Sequence, residues 1–399
     1  MSRHESLLIA FVSAFDLELN LVVFMKKLSQ YNVHAENGEY TVVFNTYRNV
    51  YVCLRTNVYK KLSDSHFLES LPQKNKVLYE KLSANGIILD QEIDEYQLLV
   101  EEHKKEIEES LSYDLTLLPT LDCNLRCWYC FERHIKGSHL TEEARNRIIS
   151  HVNEIIKDNS GIKLLNLCMF GGEPLLYFET EVYPLLLQIR NLVHSKMKEV
   201  VFSFITNGIL ITEQNISLFA DLKANFQISI DGCKRNHDKI KFIPHSNNST
   251  YEEVMHVIHL ITANPQRMVV NLRINYNDDT LVDLPNIIND LKDIDRGRIR
   301  IHLERVWQTS PKASSRVLLK DAINKFMLNG FYVTYMNLFR RSFSCWSSKR
   351  RHSVVSYDGA VYNCTGRDFT DATKEGELLN DGTVQCVGQV INMIKECPS

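Results

Sequence analysis

From Tyr113 to Val306 the chain alternates β-rich runs with helical stretches, a rhythm that leaves few folds open. The runs Leu115–Leu121, Lys163–Phe170, Val200–Thr206, Phe226–Ile230, Val269–Tyr276 and Arg298–Val306 read as strands. Between them, Thr141–Lys157, Glu179–Val193, Glu213–Leu222, Tyr251–Ala263 and Leu284–Leu291 read as helices. Strands and helices in strict alternation predict an α/β fold with a parallel sheet. Right-handed crossovers then leave an open sheet or a partial barrel. In either case functional groups collect at the C-terminal ends of the strands.

The 399 residues suit two or three domains and a substantial core. Lys and Arg number 46 against 49 Asp and Glu, so no bulk charge marks a nucleic-acid binder. The apolar stretch Leu7–Phe15 stops at Asp16, short of the roughly 20 residues a membrane span needs. Asp16 and Glu18 stand where a signal peptide would place small residues. These features predict a cytoplasmic protein with neither a membrane nor a nucleic-acid partner. Met25-Lys26-Lys27 looks like a natural start. Residues 1–24 then read as the product of an upstream start codon or as a short helix, and 1–34 as a separate N-terminal segment.

Residues 35–112 read as a small α+β unit. Glu39–Asn45 and Asn49–Arg55 form a hairpin around Thr46-Tyr47-Arg48. Lys76–Ser83 reads as a helix ended by Gly86, Ile87–Leu89 as a short strand, and Asp94–Ser110 as a charged helix. The alternating unit occupies 113–310. In the remaining 311–399, Leu318–Arg340 reads as a linker helix. Asp358-Gly359, between Val354-Val355 and Val361-Tyr362, signals a second hairpin.

Ten cysteines are too few for a disulfide scaffold in a chain this long. Three of them, Cys123, Cys127 and Cys130, follow the first strand of the alternating unit at x3 and x2 spacing. Three thiolates can hold one side of a [4Fe–4S] cluster and leave one iron open. With His134 they also make a valid Cys3His zinc set. The second strand ends in Gly171-Gly172-Glu173-Pro174, where glycines admit close approach and a carboxylate can receive an ammonium group. The third ends in Thr206-Asn207-Gly208 and the fourth in Ser229-Ile230-Asp231-Gly232, followed by His237-Asp238. The fifth carries Arg273-Ile274-Asn275. Successive strands thus deliver polar groups to one end, the layout of a cofactor site.

Cys123-x3-Cys127-x-Tyr129-Cys130 resembles the signature of radical S-adenosylmethionine (SAM) enzymes, and the Gly-Gly-Glu-Pro, Thr-Asn-Gly, Ser-Ile-Asp-Gly…His-Asp and Arg-Ile-Asn elements follow in the family's order. The resemblance covers about residues 113–306 and implies a partial (β/α)6 TIM-like barrel. It implies that Cys123, Cys127 and Cys130 hold a [4Fe–4S] cluster whose open iron chelates S-adenosyl-L-methionine. Tyr129 would sit beside the adenine, and Gly171, Gly172 and Glu173 would meet the amino group. Thr206, Asn207, Ser229, Asp231 and Arg273 would line the ribose and carboxylate side. The implied chemistry is reductive cleavage of SAM to a 5′-deoxyadenosyl radical, fed by an electron donor such as ferredoxin or flavodoxin. Glu304, at the end of the sixth strand, is a candidate acid or base.

In the tail, Cys345-x13-Gly359-x4-Cys364 resembles the opening of a SPASM domain, a C-terminal extension that binds auxiliary [4Fe–4S] clusters. The family continues with a dense group of cysteines, whereas here only Cys386 and Cys397 follow. The C-terminus therefore reads as truncated or as a reduced variant, with at most one auxiliary cluster at Cys345 and Cys364. The resemblance implies modification of a peptide or protein, the 35–112 unit offering a sheet edge to a leader peptide. The alternatives are sulfatase maturation and an inactive peptide-binding paralogue. Cys53, Cys168 and Cys233 fall in no motif.

Overall fold

The structure is a computed structural model that describes residues 25–108, 110–157, 161–335, 347 and 349–386. The calls on residues 1–24 and on Cys345 and Cys397 lie outside these. The chain divides into two compact units, one reaching His103 and the other starting at Lys104.

In the first unit, β1 (Lys26–Leu28) precedes β2 (Asn32–Glu36), β3 (Tyr40–Asn45) and β4 (Val50–Arg55), and the last three form an antiparallel sheet in that order. The predicted hairpin is β3–β4, and Asn49 closes its turn at φ 55°. Helices α1 (Thr56–Lys61), α2 (Ser65–Lys74) and α3 (Lys76–Ala84) follow, then β5 (Ile88–Asp90) and α4 (Glu95–Glu108). Val43, Val52, Leu62, Leu71 and Leu82 form the core. β5 pairs with β1, so the unit reaches back beyond residue 35. The buried Asn45 side chain bridges the two parts, donating to Ser29 Oγ at 2.9 Å and to the Gly86 carbonyl at 3.0 Å. Sequence patterning missed α2 because Pro72 reads as a breaker. It sits near the helix end, and Asp64 caps the start by accepting from His66 N at 2.9 Å.

In the second unit, β6 (Ser112–Leu118), α5 (Glu142–Ile155), β7 (Leu164–Met169), α6 (Tyr183–Ser195), β8 (Glu199–Thr206), α7 (Ile216–Asp221) and β9 (Asn225–Asp231) alternate as predicted. Thr141 caps α5, accepting from Ala144 N at 3.1 Å. The next elements are α8 (Lys234–Ile240), α9 (Thr250–Ala263), β10 (Val270–Tyr276), α10 (Asp278–Leu281), α11 (Ile287–Asp290) and β11 (Ile299–Arg305). α12 (Ser315–Leu328) then leads to β12 (Tyr332–Tyr335). β6 to β12 lie side by side and parallel, so a seventh strand joins the six read from sequence. The predicted helix Leu318–Arg340 is corrected here. It ends at Asn329-Gly330, where Gly330 adopts φ 80° and Phe331 N returns to the Phe326 carbonyl at 3.1 Å.

β13 (His352–Ser356) pairs parallel to β6, and β14 (Ala360–Tyr362), β15 (Gly376–Leu378) and β16 (Val384–Cys386) continue antiparallel. The tail is thus an extension of the main sheet, and Gly359 (φ 88°) makes the predicted Asp358-Gly359 turn. Among the described residues the eleven-stranded sheet runs from β12 to β16 without closing. Its apolar face packs against the helices, with Phe178 and Phe219 stacked at 4.0 Å beside Phe204 and Phe226.

Candidate functional site

The loop after β6 carries the three cysteines, and backbone bonds hold it in place. Asp122 Oδ1 accepts from Cys123 N at 2.8 Å and Oδ2 from Gly137 N at 2.8 Å. The Leu121 carbonyl accepts from Ile135 N at 3.0 Å, and the Cys127 carbonyl from Cys130 N at 3.1 Å. Arg126 forms an isolated antiparallel bridge with Phe242, its N–H 3.2 Å from the Phe242 carbonyl. The loop is therefore pinned both to its own strand and to the segment after α8.

The turn after β7 packs directly beneath this loop. Gly172 has φ 49°, and a Cβ there would lie 2.1 Å from the Asp122 carbonyl oxygen. Only glycine fits. Gly172 N donates to Glu132 Oε2 at 2.6 Å, and Glu173 N to the Asp122 carbonyl at 2.8 Å.

Glu173 is 1% exposed. Its Oε1 accepts from Thr206 Oγ1 at 2.6 Å and Leu175 N at 3.1 Å, and its Oε2 from Asn207 N at 2.9 Å. Burial pushes its carboxyl up to about 7 despite these bonds. Asn207 also donates to Asn124 Oδ1 at 2.8 Å, tying the third strand end to the cysteine loop.

β9 to β12 present two rows of polar residues in register, Ser229–Arg273–His302–Thr334 and Asp231–Asn275–Glu304. Tyr129 reaches the second row, donating to Asp231 Oδ2 at 2.9 Å and accepting from Asn275 Nδ2 at 3.0 Å. Arg273 Nε donates to Asn275 Oδ1 at 3.0 Å. Asp231 is 1% exposed, and its Oδ1 has no hydrogen-bond partner among the described residues. The fully buried His237 accepts from Asp231 N through Nδ1 at 3.2 Å, so Nε2 carries its proton and is likewise unpartnered. Burial pulls this imidazole down to about 3, so it is neutral.

A cavity of about 380 Å³ gathers these groups. The three cysteines, Tyr129, Gly171, Gly172, Glu173, Thr206, Asn207, Ser229 and Arg273 all line it. Asp231 stands behind Tyr129. Glu304 does not line it. Glu304 Oε2 lies 3.1 Å from His302 Nε2, a contact that holds its carboxyl below the usual range. Thr365 and Gly366, next to Cys364, form part of the wall, and Asp368 accepts from Arg133 N at 3.0 Å. Cys364 is a half-buried free thiol, whereas Cys386 is disulfide-bonded. Cys53 is exposed, and Cys168 is half-buried on β7.

Sequence reasoning missed Lys241. It is 3% exposed and lines the cavity, donating to the Ser229 carbonyl at 2.9 Å and Ser229 Oγ at 2.5 Å. Lys234, Arg235, Lys239 and Lys241 together read as a solvated basic helix. No local pattern marks it: Lys241 lies just past the end of α8 with extended backbone, and its partner Ser229 is on β9.

Residues 117–291 match the Radical SAM superfamily. This stretch is a radical SAM domain. The family implies a [4Fe–4S] cluster and SAM. The GTP 3′,8-cyclase of Clostridium perfringens (strain SM101 / Type A) is 25% identical over 167 residues, 41% of this chain and 48% of that protein. The chain thus spans about half the length of the curated relatives it matches. Among solved structures, anSMEcpe with bound AdoMet and Cp18Cys peptide is 20% identical with a TM-score of 0.54, covering 67% of this chain and 77% of that one. Streptococcus suis SuiB bound to S-adenosylmethionine is 12% identical with a TM-score of 0.51, covering 93% and 88%. At these identities the likeness to both is one of fold. Radical SAM neighbours have a partial TIM barrel, and the parallel sheet here is likewise unclosed among the described residues.

The donor set of the radical SAM domain fits the family's cluster. Cys123 and Cys127 are half-buried thiols, pushed by burial up to about 12 and about 11, so they wait neutral and must release protons to ligate iron. Among the described residues no three His, Cys, Asp or Glu side chains converge as one metal ion needs. A cubane spreads its ligands over separate irons. The unpartnered Asp231 Oδ1 and His237 Nε2 leave unmet hydrogen-bonding capacity beside the cavity.

Proposed function

We propose that this chain cleaves SAM reductively and modifies a peptide or protein, in the manner of ribosomal peptide maturation. The observation that carries the reading is the meeting of the cysteine loop with the Gly171-Gly172-Glu173 turn over one polar cavity. In this reading Cys123, Cys127 and Cys130 hold the cluster. Glu173 receives the cofactor's amino group through the acceptor capacity its three protein donors leave on Oε2. Arg273 meets the carboxylate, since its Nε is bonded within the protein and the residue lines the cavity. Tyr129, Thr206, Asn207, Ser229 and Asp231 shape the adenosine side. When bound, the cluster and SAM supply one-electron chemistry that ends in a 5′-deoxyadenosyl radical.

A peptide substrate is supported by anSMEcpe, solved with AdoMet and a peptide. In the first unit β2 is an edge strand with four of five residues exposed, which suits addition of a leader-peptide strand. The remaining parts of the reading are a cytoplasmic setting, a ferredoxin- or flavodoxin-like donor and an auxiliary cluster at Cys345 and Cys364. No helix among the described residues is long and apolar enough to cross a membrane.

The test is anaerobic reconstitution with iron and sulfide. The protein should turn brown, bleach with dithionite and yield 5′-deoxyadenosine from SAM. Replacing Cys123, Cys127 and Cys130 by Ala should abolish that product. A colourless protein with stoichiometric zinc would refute the reading.

A further inference from the structure

We infer that Lys241 is a buried counter-charge for the iron–sulfur cluster, placed to favour its reduced state. This rests on the assignment of the cluster to Cys123, Cys127 and Cys130.

The backbone of Lys241 is fixed on both sides. Its N–H donates to the His237 carbonyl at 2.7 Å, and its carbonyl accepts from Thr250 Oγ1 at 2.6 Å. The next residue, Phe242, bridges to Arg126, directly before Cys127. The lysine segment and the cysteine loop are therefore joined through the backbone. The side chain points into the cavity that the three cysteines line.

Its charge is paired at ion-pair distance with one buried carboxylate, Asp231. The two contacts within hydrogen-bond distance, Ser229 O and Oγ, are both neutral. The nearest carboxylate oxygen, Asp231 Oδ2, lies 3.7 Å away and already accepts from Tyr129. Arg126 is exposed, so water screens it, whereas Lys241 is 3% exposed. Glu132 and Glu173 carry the opposite charge in the same cavity, which Arg273 and Arg305 also line.

Reduction by an external one-electron donor adds one negative charge to the cluster. A cation held in a low-dielectric pocket stabilises that state more than the oxidised one. Cluster potentials respond to such local charge and to solvent exposure.

The test uses reconstituted holoprotein, poised anaerobically with dithionite and mediators at one fixed potential, with reduced cluster counted by EPR. Lys241→Gln and Lys241→Met should lower the ratio of reduced to oxidised cluster about tenfold, equivalent to about 59 mV for a one-electron couple. Lys241→Arg should stay within about threefold of wild type. An unchanged ratio in the neutral variants would overturn the inference, as would an equal fall in all three. Neutral variants that take up no iron while Lys241→Arg does would assign the residue to holding the loop, and would also overturn it. Wild-type protein that binds no iron would instead refute the cluster assignment itself.

Discussion

Tyr129 donates its phenolic proton to Asp231 across 2.9 Å, joining the cysteine loop to the end of β9, 102 positions away in the chain. The same oxygen accepts from Asn275, so one hydroxyl links the loop to two adjacent strands. Tyr129→Phe removes both bonds and leaves Asp231 with neither oxygen in a normal hydrogen bond from another side chain. Each buried polar group so stranded costs about 1–3 kcal/mol. The variant should fold, lose stability of that order in urea titration, and load less iron than wild type. An unchanged urea midpoint would mean that water replaces the hydroxyl.

Gly172 makes a sharper demand. Its positive φ alone disfavours a side chain, and the Asp122 carbonyl occupies the place of a Cβ. Gly172→Ala should cost more than about 2 kcal/mol and push the cysteine loop off the turn. Gly137→Ala provides the control, because a Cβ there meets nothing within 4 Å although its φ is 74°. Iron uptake should fall in the first variant and hold in the second. Equal losses in both would reduce the effect to backbone strain.

What the sequence made legible follows from chemistry that neighbours in the chain can carry. The cysteine spacing, the Gly171-Gly172 turn and the strand rhythm are local, and each is where the motif placed it. Lys241 was illegible because its meaning comes from Ser229 and Asp231, on a strand before α8. His302 was illegible for a similar reason. Its partners, Glu304 and Thr334, mark it only once β12 is known to lie beside β11. β12 itself was hidden in a long apolar run, and the turn at Gly330 outweighed the helical pattern. β13 pairs with β6, more than two hundred residues away, a pairing that no local signal reports.

One buried and one half-buried carboxyl give the apoprotein a definite pH response. Burial raises Glu173 and Glu132 from 4.5 to about 7 in the folded state. A carboxyl with a raised folded pKa binds its proton more tightly when folded, so stability is greatest below the unfolded value and falls as pH rises towards 7. For Glu173 the full effect is about 3 kcal/mol between pH 4.5 and 7. Urea midpoints should therefore drop across that window. Glu173→Gln should flatten part of the slope and leave the share that belongs to Glu132. A midpoint that rises over the same window in wild type would contradict the assigned burial.

The tail gives the last expectation. Cys364 is a free thiol whose Sγ accepts from Gly366 N at 3.2 Å, and Gly366 lines the cofactor cavity. The loop is anchored there by Asp368 on Arg133 and by Phe369 packing against Tyr362 at 5.3 Å. An auxiliary cluster on Cys345 and Cys364 would thus stand beside the radical site, with Cys386 committed to a disulfide. Two cysteines cannot complete a four-cysteine cluster without other ligands, so such a cluster should be labile and oxygen-sensitive. Reconstituted wild type should hold about four to eight irons per chain, and the Cys345→Ala/Cys364→Ala variant about four. The double variant should still form 5′-deoxyadenosine, because the cavity residues that hold SAM are untouched, while peptide modification should fail. Equal iron in wild type and variant would leave the tail as a wall of the cavity alone, and about twelve irons in wild type would mean two complete auxiliary clusters.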